Sequence, residues 1–402
     1  MKKFNIIIFL FICILAFILR VYNLNSKPLF FPDEEVYYRA ALYYAYDQRE
    51  PLYTQLINNK FYIQFPNHLN YEHPILGKLL ISLSIIIFGT SIEGARLLSA
   101  ILGTFEIPLA YMIIKKYTKE TLALFFSLIF ALDPLNLSIS RSIMLDGFAM
   151  FFSLLALFSF LYINDQYRKF FFFSLFVGLA ISTKLNFFPL IFSVILLSLF
   201  TFKKLIEKIT VSILSYIIIF TIYFLTYIPY FFHFNSNIGI LPSEYRFLDY
   251  GSHNLHDFIN LQVWILNYHL FWHLNYNFYD YLFLNPWFYF VYDGRAYHMF
   301  TANPLIVYSG IILLVVFPIY LKIFRISTYD IILAFFLPFS LLLFIKGLSW
   351  YLIFFNFLSL LIISLIYNFI NKKDILKITL YITFLCSIII TNIVIDFYYF
   401  SI

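Results

Sequence analysis

Long apolar runs, each closed by a short polar or basic cluster, recur along this chain and predict its elements. Residues 4–21 follow Lys2-Lys3 and, at roughly 1.5 Å per residue, are long enough to cross a bilayer. The first half of this run looks like a signal peptide, but no small-residue cleavage site follows. It therefore predicts a retained helix with a cytosolic N-terminus. Residues 23–94 form a first outer loop, in which 79–88 is too short to cross and predicts an amphipathic helix in the outer interface. Further spans are expected over 95–114, 121–138, 147–163, 170–183, 187–202 and 209–231. A second outer loop, 233–303, is rich in His, Tyr, Asn and Trp, and spans over 304–320, 329–345, 350–370 and 375–395 complete the chain. The pattern predicts an all-α polytopic membrane protein with about eleven crossings, a single transmembrane domain over residues 1–402. Neither an internal repeat nor a Pro/Gly-rich linker divides it.

Composition supports the membrane reading. The chain is 62% hydrophobic and 12% charged, with mean hydropathy +0.85, whereas soluble domains carry roughly twice that charge. An ordinary soluble domain is excluded, and no nucleic-acid partner is expected. The 54 Phe and 34 Tyr are what AT-rich codon usage produces and carry no functional reading. Cys13 and Cys386 fall inside apolar spans, so no disulfide framework is expected. Lys2, Lys3, Lys115, Lys116, Lys119, Arg168, Lys169, Lys203, Lys204, Lys208, Lys322, Arg325, Lys372, Lys373 and Lys377 gather at the turns assigned to the inner face. That is the bias the positive-inside rule demands.

The charges left over point to chemistry. Pro32-Asp33-Glu34-Glu35 places three carboxylates just beyond the first span, where they also fit a solvated helix start capped by Asp33. Arg96, Arg141 and Lys184 lie at or just inside the outer ends of spans. Snorkelling to headgroups accounts for each singly, but three at one face, near Asp33 and Asp146, read as a site for an anionic ligand.

These residues carry a family resemblance. Asp33-Glu34, His73-Pro74-Ile75-Leu76-Gly77-Lys78, Arg96 opening the next span, Ser140-Arg141 followed by Leu145-Asp146, and Lys184 occur in the order found in the prokaryotic protein O-mannosyltransferases. The chain resembles that family, within the GT-C superfamily of lipid-phosphate-sugar-dependent glycosyltransferases. Tyr268-His269, His273, Asn285-Pro286-Trp287 and Asn303-Pro304 are similar to its second-loop landmarks. Ile75 stands where the family has a second proline, and the aromatic-His-Tyr stretch expected near residues 349–355 is absent. The resemblance implies a GT-C-type fold, a prokaryotic cell membrane, an active site on its outer face and a polyprenyl- or dolichyl-phosphate sugar as donor.

The chemistry assigns roles. Sugar transfer to a hydroxyl needs one base for a single inverting displacement, and Asp33 is the candidate, with Glu34 orienting the acceptor or a basic partner. The leaving phosphate needs fixed cations: Arg141 and Lys184 first, then Arg96 and Lys78. Asp146 would aim Arg141 or simply pair with it, and His73 would bridge toward Asp33 or the phosphate. His269 and His273, at i and i+4, are supporting candidates. No metal or other cofactor is required by this argument; the partners are the lipid-linked donor, a protein or peptide acceptor and membrane lipid. A transferase acting on lipid or cell-wall acceptors, like the aminoarabinose transferases, shares the first loop. A transporter would show internal repeats and broken helices near the midplane, and neither is apparent. A non-catalytic membrane subunit is the remaining reading. The sugar, acceptor, polyprenol length, metal dependence and oligomeric state stay open.

Overall fold

The computed structural model describes residues 3–26, 33–46, 71–232, 254–267, 289–292, 295–298, 303–313, parts of 331–338, 352–369 and 375–401. Helix α1 (Lys3–Val21) buries Ile12, Ala16 and Arg20 and exposes Phe4, Ile7, Leu10, Phe11, Ile14 and Ile18. Exposure of this kind is what a lipid-facing helix shows, since acyl chains replace water as its solvent. Helices α2 (Asp33–Tyr46) and α3 (Leu76–Phe88) follow. The latter is the short apolar helix expected over 79–88, begun one turn earlier. It ends at Gly89, whose φ of 96° suits a residue without a side chain.

Helix α4 (Ile92–Lys115) runs through the centre, packed on α1, α3, α5 (Glu120–Ala131) and α7 (Leu145–Tyr162). Its N-cap Ser91 accepts from Gly94 N at 3.0 Å, satisfying one orphan donor of the first turn. Between α5 and α7 lies α6 (Pro134–Ser140). The single span expected over 121–138 is in fact two helices bent by 57°. Pro134 lacks the N–H that would continue α5, and Asp133 turns its side chain to cap α6, accepting from Asn136 N at 2.8 Å. The span expected to run continuously over 121–138 is therefore interrupted at Asp133-Pro134.

Helix α8 (Gln166–Thr183), a 3₁₀ turn (Leu185–Phe187), α9 (Leu190–Thr201), α10 (Leu205–Thr226) and α11 (Ile228–Phe232) complete the well-packed half. In the second loop are α12 (Leu255–Asn267) and an antiparallel hairpin, β1 (Tyr289–Tyr292) and β2 (Arg295–His298), with Tyr289 opposite His298. The hairpin is a departure from the purely helical expectation. Helices α13 (Pro304–Leu313), α14 (Leu352–Phe369) and α15 (Ile375–Ser401) close the description. Among the described residues five helices are long and apolar enough to span a membrane, or six with the bent pair taken as one. The expected eleven crossings include stretches outside those residues. Cys13 and Cys386 are free thiols.

Asparagines dock the C-terminal helices on the bend. Asn356 Nδ2 donates to Asp133 Oδ2 at 2.7 Å, Asn392 Nδ2 to Ile129 O at 3.2 Å, and Asn303 Nδ2 to Asn392 Oδ1 at 2.6 Å. With no hydrophobic drive between helices in lipid, such bonds and close backbone approach set the packing. Gly103 lets α4 pack closely on α6: a β-carbon there would collide with the Ser140 side chain and sit 3.3 Å from Arg20 Nε. Gly103→Val is expected to lower stability by about 1–3 kcal/mol, and Gly103→Ala by less. Thermal unfolding in detergent measures this, and an unchanged midpoint for the valine variant contradicts the packing described.

Candidate active site

Three carboxylates open α2, where the exposed N–H groups and the positive end of the helix dipole favour negative charge. Each has a different fate. Glu34 is fully buried and bound from three directions: Arg96 Nε reaches Oε1 at 3.0 Å, Arg96 Nη2 reaches Oε2 at 2.7 Å, and Ile143 N donates to Oε1 at 2.6 Å. Arg96, on the second turn of α4, also donates through Nη1 to Leu24 O at 2.7 Å. This bidentate pair ties α2 to α4, to the loop before α7 and to the end of α1. Glu35 pairs one turn along its own helix with Arg39 at 2.8 Å.

Asp33 is only half-buried and, among the described residues, accepts no hydrogen bond. Burial pushes its carboxyl up to about 6; Asp146, Glu34 and Glu72 add to the rise, while Lys184 opposes it. Asp146, in the first turn of α7, and Lys184, closing α8, form an ion pair of 2.6 Å. The carboxylate of Asp33 thus shares its electrostatic surroundings with a cation from α8 and an anion from α7.

The expected cations are placed unequally. Lys184 is in the cluster with Asp33. Arg96 has its fork committed to Glu34. Arg141 donates through Nη1 to Leu19 O at 2.5 Å and to Arg20 O at 3.3 Å, and through Nη2 to Asn23 O at 3.4 Å. It thereby covers the C-terminal carbonyls of α1, a favourable position for a cation. Asp146 pairs with Lys184 and not with Arg141, correcting that expectation: the α7 start lies against the α8 end. Lys78, buried at the start of α3, donates to His73 O at 2.7 Å, and burial pulls its ammonium down to about 7 against the pull of Glu72. The His73 ring stands edge-on to Tyr37, with centroids 5.8 Å apart. His269 and His273 lie outside the described residues. Among the described residues, no three His, Cys, Asp or Glu side chains converge as metal ligands.

One buried polar group went unpredicted. Arg20 donates to Asn136 Oδ1, Asn136 Nδ2 donates to Glu106 Oε2, and Asp133 holds Asn356. The signal was present in the sequence: Glu106 and Asp133 are carboxylates inside runs otherwise apolar enough to span.

The fold has known counterparts. The oligosaccharyltransferase of Archaeoglobus fulgidus, crystallised in its apo form, superposes with a TM-score of 0.56 at 15% identity, over 99% of this chain and 56% of that one. The archaeal oligosaccharyltransferase in complex with an inhibitory peptide and a dolichol-phosphate gives 0.58 at 14%, over 98% and 55%. The protein is thus a helical membrane protein with the fold of the archaeal oligosaccharyltransferases. The family model for dolichyl-phosphate-mannose-protein mannosyltransferase matches residues 10–237, more than half of the chain, and the chain belongs to that family. A polyprenol-phosphate-mannose–protein mannosyltransferase of Mycobacterium tuberculosis is 29% identical over 164 residues. The match spans 39% of this chain and 29% of that relative's length.

Proposed function

We propose that this protein is an inverting glycosyltransferase. It moves mannose from a polyprenyl or dolichyl phosphate to Ser or Thr hydroxyls of secreted or membrane proteins, on the outer face of a prokaryotic cell membrane. The observation that carries the reading is Asp33: a partly buried carboxylate with a raised pKa, on a helix start immobilised by its neighbour Glu34, beside the Lys184–Asp146 pair.

In the reaction, Asp33 takes the acceptor hydroxyl proton as the oxygen attacks the anomeric carbon. The bond from that carbon to the phosphate oxygen breaks, its electron pair stays on the phosphate, and the phosphate gains one negative charge. Lys184 and Lys78 are the cations on the Asp33 side that meet this charge. Glu34, Arg96 and Arg141 act by fixing the backbone around the base. His73 carries Lys78 through its carbonyl. The orientation is supported by Lys115, Lys116 and Lys119 at the α4–α5 turn and by Lys203-Lys204 before α10, at the ends of spans opposite Asp33.

The test is a donor-by-acceptor panel on the purified protein in lipid nanodiscs. Polyprenyl-phosphate mannose with Ser/Thr peptides is expected to give mannosyl-peptide. Transfer to lipid acceptors alone overturns the acceptor assignment, and transfer from a different lipid-linked sugar overturns the donor.

A further inference from the structure

Helix α12 divides its surface into three sectors. Phe258, Leu261 and Ile265 are buried; Leu255, Ile259, Val263 and Leu266 are exposed by 59%, 52%, 54% and 49%. His256, Asn260 and Asn267, also exposed, make up a polar side. At about 100° per residue the four exposed apolar positions fall within an arc of about 80°, between the buried sector and the polar one. A helix with packed protein on one flank, apolar side chains on the next and polar groups on the third suits a boundary between oil and water.

The buried flank fixes the depth of the helix. Phe258 packs against Phe224, Tyr227 and Phe231, with ring centroids 5.5, 5.2 and 5.4 Å away, and Tyr223 Oη donates to Gln262 Oε1 at 2.8 Å. These partners end the segment Leu205–Phe232, which has 28 residues and begins just after Lys203-Lys204. About 20 residues fill the hydrocarbon, so residues from about Tyr227 onward lie at headgroup level, where tyrosines concentrate. On the same segment Phe224, Leu225, Ile228 and Phe232 are exposed, continuing the lipid-facing surface of α10 up to α12. The cluster under α12 also contains Tyr43 of α2 and Tyr71, which places α12 on the Asp33 side of the membrane.

We infer that α12 is a monotopic interfacial helix, seated with Leu255, Ile259, Val263 and Leu266 in the acyl–headgroup boundary of the leaflet on the Asp33 side. The occupant of the exposed apolar face is bilayer lipid. By this seating α12 anchors the second large loop to the membrane and, through Tyr43, to the helix that carries Asp33.

The experiment uses the full chain in nanodiscs with Cys13→Ala and Cys386→Ala, and a fluorophore on Ile259→Cys, Val263→Cys or Asn260→Cys in turn. Lipids carrying a nitroxide near the headgroup are expected to quench the Ile259 and Val263 labels about threefold more than the Asn260 label, with aqueous iodide giving the reverse order. Two apolar positions guard against one variant failing to fold. Iodide quenching of Ile259 and Val263 equal to that of Asn260 overturns the inference. Protection of both from lipid and iodide also overturns it, and identifies the remainder of the second loop as the covering partner.

Discussion

Asp33→Asn protein is expected to transfer sugar about 10²–10⁴-fold more slowly than the parent while binding donor with little change, because removing a positioned base costs roughly that factor. The amide keeps the side chain's size and loses only the ability to take the hydroxyl proton. Folding should survive. A carboxyl whose pKa is raised in the folded state is disfavoured there when ionised, so the folded protein loses stability as pH climbs from the usual carboxylate range through about 6. Asparagine removes that cost, and the variant should be at least as stable as the parent at neutral pH. The rate carries the opposite pH sign to the stability: the base works only when ionised, so kcat/KM falls below about pH 6. If the charged form of Lys78 serves the phosphate, a second limb falls above about 7, where that ammonium loses its proton. The profile of the parent should be a narrow bell, and Asp33→Asn should lose the acid limb. Parent-like turnover by Asp33→Asn, or an acid limb that persists in it, removes Asp33 from the role of base.

The sequence marked out residues of the candidate site better than it showed how they pair. Asp33, Lys184 and Asp146 were legible because charges are expensive in apolar runs and these stand at the same ends of their spans. What the sequence could not carry was pairing. Glu34 and Arg96 are 62 residues apart, and their bidentate contact depends on how α2 lies across α4. Arg141 is as isolated in sequence as Lys184, yet the bend at Asp133-Pro134 turns it onto the end of α1. The bend itself was readable, since a proline preceded by a capping residue breaks a helix. Hydropathy averaged over 121–138 hid it, because both halves are apolar. The amphipathic α12 lay inside a stretch read as an outer loop rich in His, Tyr, Asn and Trp; its apolar stripe shows once its positions are laid on a helix.

The second large effect is structural and falls on Glu34 and Arg96. Arg96→Ala is expected to cost about 3–5 kcal/mol, since it takes the bidentate cation away from the buried Glu34 carboxylate between α2 and α4. Arg96→Lys should recover only part of this, because an ammonium on a flexible stem cannot serve both carboxylate oxygens as the planar fork does. The double variant Glu34→Leu with Arg96→Leu removes both charges together. Replacing a buried pair by apolar groups of similar bulk is often close to neutral, so the double variant should unfold much nearer to the parent than Arg96→Ala does. Activity should not follow stability back. Without Glu34 the Ile143 N–H loses its acceptor, and the first turn of α2 loses the contacts that hold Asp33 beside Lys184 and Asp146. Thermal unfolding and transfer rate measured on the same three preparations separate the two roles. If the double variant regains its unfolding temperature and its rate together, the Glu34–Arg96 pair supports the fold and has no part in positioning the base.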